Sequence, residues 1–233
     1  MDKLDVVIQA YDTLIKGIES DARLESQHRA YGGIIRSGKG KLVENITEII
    51  IRYAWDQLGG HPSRINFEKK IRKLKVKESY IRNSSNSYLK SDYQQFPDKY
   101  FYKLKADVHC NIDNNLALAV ECKTYTENAM LKRILVDFTQ MKTAWPNVDC
   151  FLLQLESQLG GDYGELRNYK RIGSASTNTL MSYFEIDLKI LTLLEGERKI
   201  NKPIHKPLYF KPLTKESLLL VVKEFQKSLK PFL

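Results

Sequence analysis

Between Lys105 and Lys123 the chain reads Lys-Ala-Asp-Val-His-Cys-Asn-Ile-Asp-Asn-Asn-Leu-Ala-Leu-Ala-Val-Glu-Cys-Lys. Two runs of period-two alternation flank a turn-prone Asp113-Asn114-Asn115, the pattern of a β-hairpin. Folding symmetrically about Asn114 sets Asp107 opposite Glu121, and cross-strand partners share a face of the sheet. Successive side chains then separate into two sets. Val108, Cys110, Ile112, Leu116, Leu118, Val120 and Cys122 make one apolar surface suited to a core. Asp107, His109, Asn111, Ala117, Ala119, Glu121 and Lys123 make the other, which is polar and small near its middle. On that face two carboxylates converge with an ammonium, a setting in which a hard divalent cation could sit between oxygens with a lysine beside it.

Asp107 followed by Glu121-Cys122-Lys123 resembles the PD-(D/E)xK nuclease signature, and the size and charge of the chain resemble those of a type II restriction endonuclease. The motif departs from the family pattern at Ala106, where the nominal residue is proline. A literal Pro97-Asp98 makes Asp98 the rival first acid, but only Asp107 falls opposite Glu121 in a simple hairpin. The resemblance implies an α/β fold with a restriction-endonuclease-like core, a mixed central β-sheet flanked by helices. It also implies Mg²⁺ bound by Asp107, Glu121 and the backbone carbonyl of Cys122, with Lys123 beside the attacking water. In such nucleases an acid on the helix before the catalytic sheet approaches the metal, and Glu44 matches that position better than Glu48.

The 233 residues, 42% of them hydrophobic, suffice for one substantial domain, expected to span 1–233 with helices at both ends. Lys and Arg outnumber Asp and Glu by 37 to 28, a net charge of +9 that suits a partner carrying phosphates. Cys110, Cys122 and Cys150 are odd in number and lack CxxC spacing, so neither a disulfide framework nor a zinc site is indicated, and they read as small apolar filling in a reducing compartment. No charged-then-apolar leader opens the chain, and no run approaches the roughly 18 apolar residues of a membrane span. A cytoplasmic protein without a membrane partner is expected.

Along the chain, residues 2–19 and 41–58 carry helical apolar periodicity, the second stopped by Gly59-Gly60. Between them, 20–40 is polar, basic and glycine-rich and is expected to be a connection, with Arg36, Lys39 and Lys41 as candidate phosphate contacts. It lacks the strand and the Gly-Lys-Ser/Thr ending of a P-loop. Residues 65–80 are lysine-rich and fit helix or strand, whereas 83–99, rich in Ser and Asn, read as a loop whose Tyr88 and Tyr93 could stack on or hydrogen-bond to a nucleic acid but are expected to pack locally. Beyond the hairpin come a helix over 128–143, a buried strand over 148–155, a strand near 184–190 and a last helix over 214–229. The polar segment 159–182 supplies Arg167, Asn168, Lys170, Arg171 and Asn178. Arginine reads guanine and asparagine reads adenine through paired hydrogen bonds, so this segment is the expected sequence-reading loop.

Together these features point to a Mg²⁺-dependent, sequence-specific endonuclease of double-stranded DNA, with 5′-phosphate products implied by the resemblance. A self-complementary target would call for a twofold homodimer. The alternatives are another nuclease with a resembling centre (a junction resolvase, a transposon-end or a repair nuclease) or a basic DNA-binding module without catalysis.

Overall fold

The computed structural model describes the chain apart from residues 1, 26–27, 68–71 and 167–170 and the side chains of 19–34 and 36. Leu4, Val7, Tyr11, Ile15 and Ile18 recur at helical spacing and form the buried stripe of α1 (Lys3–Glu25). The next helix, α2 (His28–Gln57), runs through the glycine-rich segment that composition marks as a connection. Gly38 explains this, because a Cβ there would lie 2.9 Å from Cδ1 of Ile18, so the missing side chain lets the two helices approach. Past Gly59, whose φ is +81°, come the short strands β1 (Ile65–Phe67) and β2 (Arg72–Lys75).

The expected loop over 83–99 is also partly helical. After α3 (Glu78–Asn83), the Asn86 side chain accepts from the Leu89 amide and caps α4 (Ser87–Gln95), so a segment of loop-like composition folds as a helix. β3 (Phe101–Leu104) returns to pair with β2 as a separate two-stranded ribbon. β4 (Val108–Ile112) and β5 (Asn115–Thr126) then make the hairpin, followed by α5 (Asn128–Ala144), β6 (Asp149–Ser157), α6 (Ala175–Ser182), β7 (Leu188–Thr192) and α7 (Lys215–Leu229).

The central sheet has the order β1-β4-β5-β6-β7. Its first three strands are antiparallel, while β5, β6 and β7 are parallel. α1, α2 and α7 cover one face, with Trp55, Tyr11, Phe151 and Phe225 buried between them and the sheet. α5 covers the other through Leu131, Ile134, Leu135, Phe138 and Met141. The sheet is therefore mixed and flanked by helices, as expected. Each fully buried side chain of this kind contributes about 1.5–3 kcal/mol of transfer free energy.

The hairpin turn consists of Asp113 and Asn114, with φ of 48° and 68°, the positive pair that suits the twist of a two-residue turn. Arg64 grips the Asp113 carboxylate through Nε and Nη2 and donates to the Phe232 carbonyl at 2.6 Å, tying the hairpin tip to the last residues. Val108 pairs with Val120 and Cys110 with Leu118, but Asn111 pairs with Leu116. Ala117 is thus an extra residue on β5, a bulge that reverses the alternation toward the turn. This corrects two placements: Leu116 joins the core beneath α5, and Ala117 joins the core beneath α2. The polar face is also not open along its length. His109 and Asn111 are 2% and 3% exposed, His109 accepting from the Ala106 amide and Asn111 from Arg72.

Candidate active site

The bulge lies on the turn side of the hairpin, so the register is undisturbed at its other end, where Asp107 precedes β4 and Glu121 and Lys123 stand on β5. Oδ2 of Asp107 accepts from the Cys122 amide at 2.9 Å and from Nζ of Lys123 at 3.3 Å. Lys123 also donates to Oε1 of Glu121, so a single ammonium lies between both carboxylates. All three side chains are about a quarter exposed, recessed yet reachable. Asp98, the rival acid, lies in an exposed turn over Pro97–Lys99.

Burial pushes the Glu121 carboxyl above its ordinary range, and the neighbouring Asp107 charge adds to the effect, with Lys123 opposing both. Burial pulls the Lys123 ammonium down, but Glu121 and Asp107 outweigh it and the net displacement is upward. Asp137, on α5, was missed in sequence. Burial raises its carboxyl, Arg133 and Lys123 draw it back, and its charge is felt at Glu121. Ile134, Phe138 and Met141 form the buried stripe of α5, and Asp137 lies at its flank, a place that marks it as a helix acid but does not show which strand it faces.

Cys122 turns its thiol to the opposite face, where Sγ lies 3.2 Å from Oγ1 of Thr47 on α2. Its backbone, which donates to Asp107, is the part that borders the site. Glu44, one turn before Thr47 on α2, pairs with Lys41 at 3.4 Å, and its negative charge adds to the burial that holds the Cys122 thiol protonated. Among the described residues no group of three or more His, Cys, Asp or Glu side chains is arranged to hold a metal. The two carboxylates nevertheless supply the oxygen donors that suit a hard cation of the kind that keeps waters and phosphate as its remaining ligands.

The candidate DNA contacts are scattered. Lys39 is 9% exposed, with Nζ 3.1 Å from Nδ1 of His205, and burial brings its pKa down to about 8. Lys41 is exposed beside Glu44. The Arg36 side chain and residues Arg167, Asn168 and Lys170 lie outside the described residues. Arg171 is half-buried, and Asn178 donates to the Ile172 carbonyl at 2.7 Å. The segment that carries these last two is pinned: the Asp162 carboxylate accepts from the amides of Ile172 and Gly173 at 2.8 and 2.6 Å. All three cysteines are free and buried. No helix among the described residues is long and apolar enough to cross a membrane.

No protein-family model matches the chain. A solved structure titled "native BbvCI A2B2 tetramer at low resolution" aligns over 97% of this chain and 88% of that one, with 14% identity and a TM-score of 0.38. The chain is 47% identical over 231 residues to the type II restriction enzyme DdeI of Desulfomicrobium norvegicum, covering 97% of this chain and 96% of that one. With nearly half of all positions shared from end to end, the chain belongs to the type II restriction enzymes, in the family of DdeI.

Proposed function

We propose that this chain hydrolyses phosphodiester bonds of double-stranded DNA at a defined sequence, with Asp107, Glu121 and Lys123 as its catalytic centre. The observation that carries the reading is that the ammonium of Lys123, on β5, the middle strand of the central sheet, is hydrogen-bonded to both acids. Asp107, Glu121 and the Cys122 carbonyl would hold Mg²⁺, which when bound supplies Lewis-acid polarisation of the phosphoryl oxygens and of water. Hydrolysis joins a water oxygen to phosphorus and breaks the bond to the 3′ oxygen, leaving a 5′-phosphate and a 3′-hydroxyl.

Each residue has a task set by its surroundings. Asp107 is fixed by the Cys122 amide, so its carboxylate is oriented before any ligand arrives. Glu121 is held where burial and Asp107 oppose its ionisation, and a cation relieves that opposition. Lys123 carries three N–H donors, enough to orient the attacking water and to offset charge gathering on the phosphoryl oxygens. Glu44, on α2 one turn before the Thr47 that meets Cys122, would be the further acid of the centre on the helix side. A twofold homodimer would present one such centre to each strand of a self-complementary target.

Incubating the purified protein with plasmid, with and without Mg²⁺, tests this. The expected result is discrete fragments in Mg²⁺ and intact plasmid in EDTA. Plasmid that stays intact in Mg²⁺ across a range of salt and pH would instead favour a basic DNA-binding module.

A further inference from the structure

We infer that the β2–β3 ribbon is a DNA-gripping arm whose outer face, Lys73, Lys75 and Lys103, takes the sugar-phosphate backbone of the duplex leading into the active site. The inference rests on the nuclease reading above and deepens it. Three independent observations point to duplex DNA as the occupant.

The first is charge. Residues 72–105 hold nine Lys and Arg against three Asp and Glu, a net +6 out of the +9 of the chain. The second is register. Lys73 pairs directly with Lys103, and Lys75 with Phe101, so three ammonium groups share one face of a two-stranded ribbon. Like charges directly opposed across strands destabilise a sheet. Among the described residues no carboxylate forms an ion pair with Lys73, Lys75 or Lys103, and all three are exposed. The Phe101 ring, 4.3 Å from Nζ of Lys73, lies on the same face and offers these cations a π surface but no counter-charge.

The third is position. The inner face is committed to packing, since Leu74 and Leu104 join the core beneath α5 and Arg72 lies over Trp145. The outer face is therefore held out from the body. Lys103 precedes Asp107 by four residues, at most about 14 Å of extended chain, less than half of a roughly 34 Å turn of duplex. A duplex seated on Asp107 and Glu121 must pass the ribbon, and a two-stranded ribbon is narrow enough to enter a major groove about 12 Å wide. Beside the ribbon an open groove of about 550 Å³ is walled by Tyr80 and Tyr102, which are 63% and 57% exposed, with Lys77 and Lys99 along it.

The test is filter retention of plasmid in EDTA over a range of salt, where hydrolysis does not intervene. Combining Lys73→Ala, Lys75→Ala and Lys103→Ala should make the plot of log affinity against log salt shallower by roughly 2–3, at about 0.9 per lost phosphate contact. A second variant separates binding from folding. Lys73→Glu places an opposite charge across from Lys103, so the melting temperature should hold or rise while DNA affinity falls. A wild-type salt slope in the triple variant would overturn the inference, as would a Lys73→Glu protein that loses affinity only together with its melting temperature. Failure of the catalytic reading shows up separately, as continued plasmid cleavage by Lys123→Ala, whatever the ribbon variants do.

Discussion

Lys123 holds two roles at once, and they can be separated. Its ammonium shields Asp107 from Glu121, and in the proposed reaction it would face water and phosphate. Removing it leaves two recessed carboxylates in mutual repulsion, with Asp137 nearby, and pushes the Glu121 carboxyl further upward from an already raised position. A carboxyl raised in the folded state binds more protons folded than unfolded, so stability is greatest at low pH and falls as pH rises through that range. Lys123→Ala should therefore lose melting temperature more steeply than wild type as pH rises above the ordinary carboxylate range, and millimolar Mg²⁺ should restore most of the difference. Its cleavage rate should fall by about 10²–10³ or more, as when one transition-state donor is deleted, while DNA retention stays. Parallel melting curves across pH for the two proteins would show that the shielding is unimportant. Legibility at this scale was high for Asp107, Glu121 and Lys123, because a two-residue repeat fixes which side chains share a face. It was low for Asp137, whose approach depends on how α5 lies across the sheet.

At the scale of elements, glycine is what misled the reading of 20–40 and served the reading of the end of α2. Composition treats Gly38 and Gly40 as marks of a connection, yet both are inside a helix. The distinction lies in what surrounds each one, which becomes visible only when α1 packs on α2. A Cβ at Gly40 would meet nothing within 4 Å, whereas one at Gly60 would fall 2.1 Å from the buried Trp55 ring. Gly40→Ala should thus stabilise by up to about 1 kcal/mol, the helical difference between the two residues, or roughly 2–4 °C in a chain of this size. Gly60→Ala should cost about 1–3 kcal/mol or more, because a filled core side chain must move. Thermal melts of both variants decide it, and equal shifts would mean that α2 is not continuous through Gly40. The bulge at Ala117 has the same lesson: period two fixed the faces near the acids, but an inserted residue leaves no trace in alternation when its neighbours are alanine and leucine. α4 was hidden because Asn and Ser favour loops and helix caps alike, and only the hydrogen bond from Leu89 to Asn86 shows which use is made of them.

Across the whole molecule, helices pack on both faces of the sheet, and Asp107, Glu121 and Lys123 come together on the α5 side where β4 begins, just after the basic ribbon in sequence. One chain offers one set of Asp107, Glu121 and Lys123, and a duplex has two antiparallel strands. If two chains act as a twofold pair on a self-complementary site, each centre cuts one strand, and a pair with one dead centre can only nick. Wild type mixed with an excess of Lys123→Ala, allowed to exchange subunits and then given supercoiled plasmid in Mg²⁺, should therefore accumulate open circles. Wild type alone should give linear plasmid. Chains acting singly would differ only in rate, because the inactive protein would dilute the active one or compete for sites without changing the form of the product. The ratio of open circle to linear DNA in early samples, plotted against the fraction of Lys123→Ala, distinguishes the two. A rise with that fraction supports the pair, and a flat ratio means that each chain cuts alone.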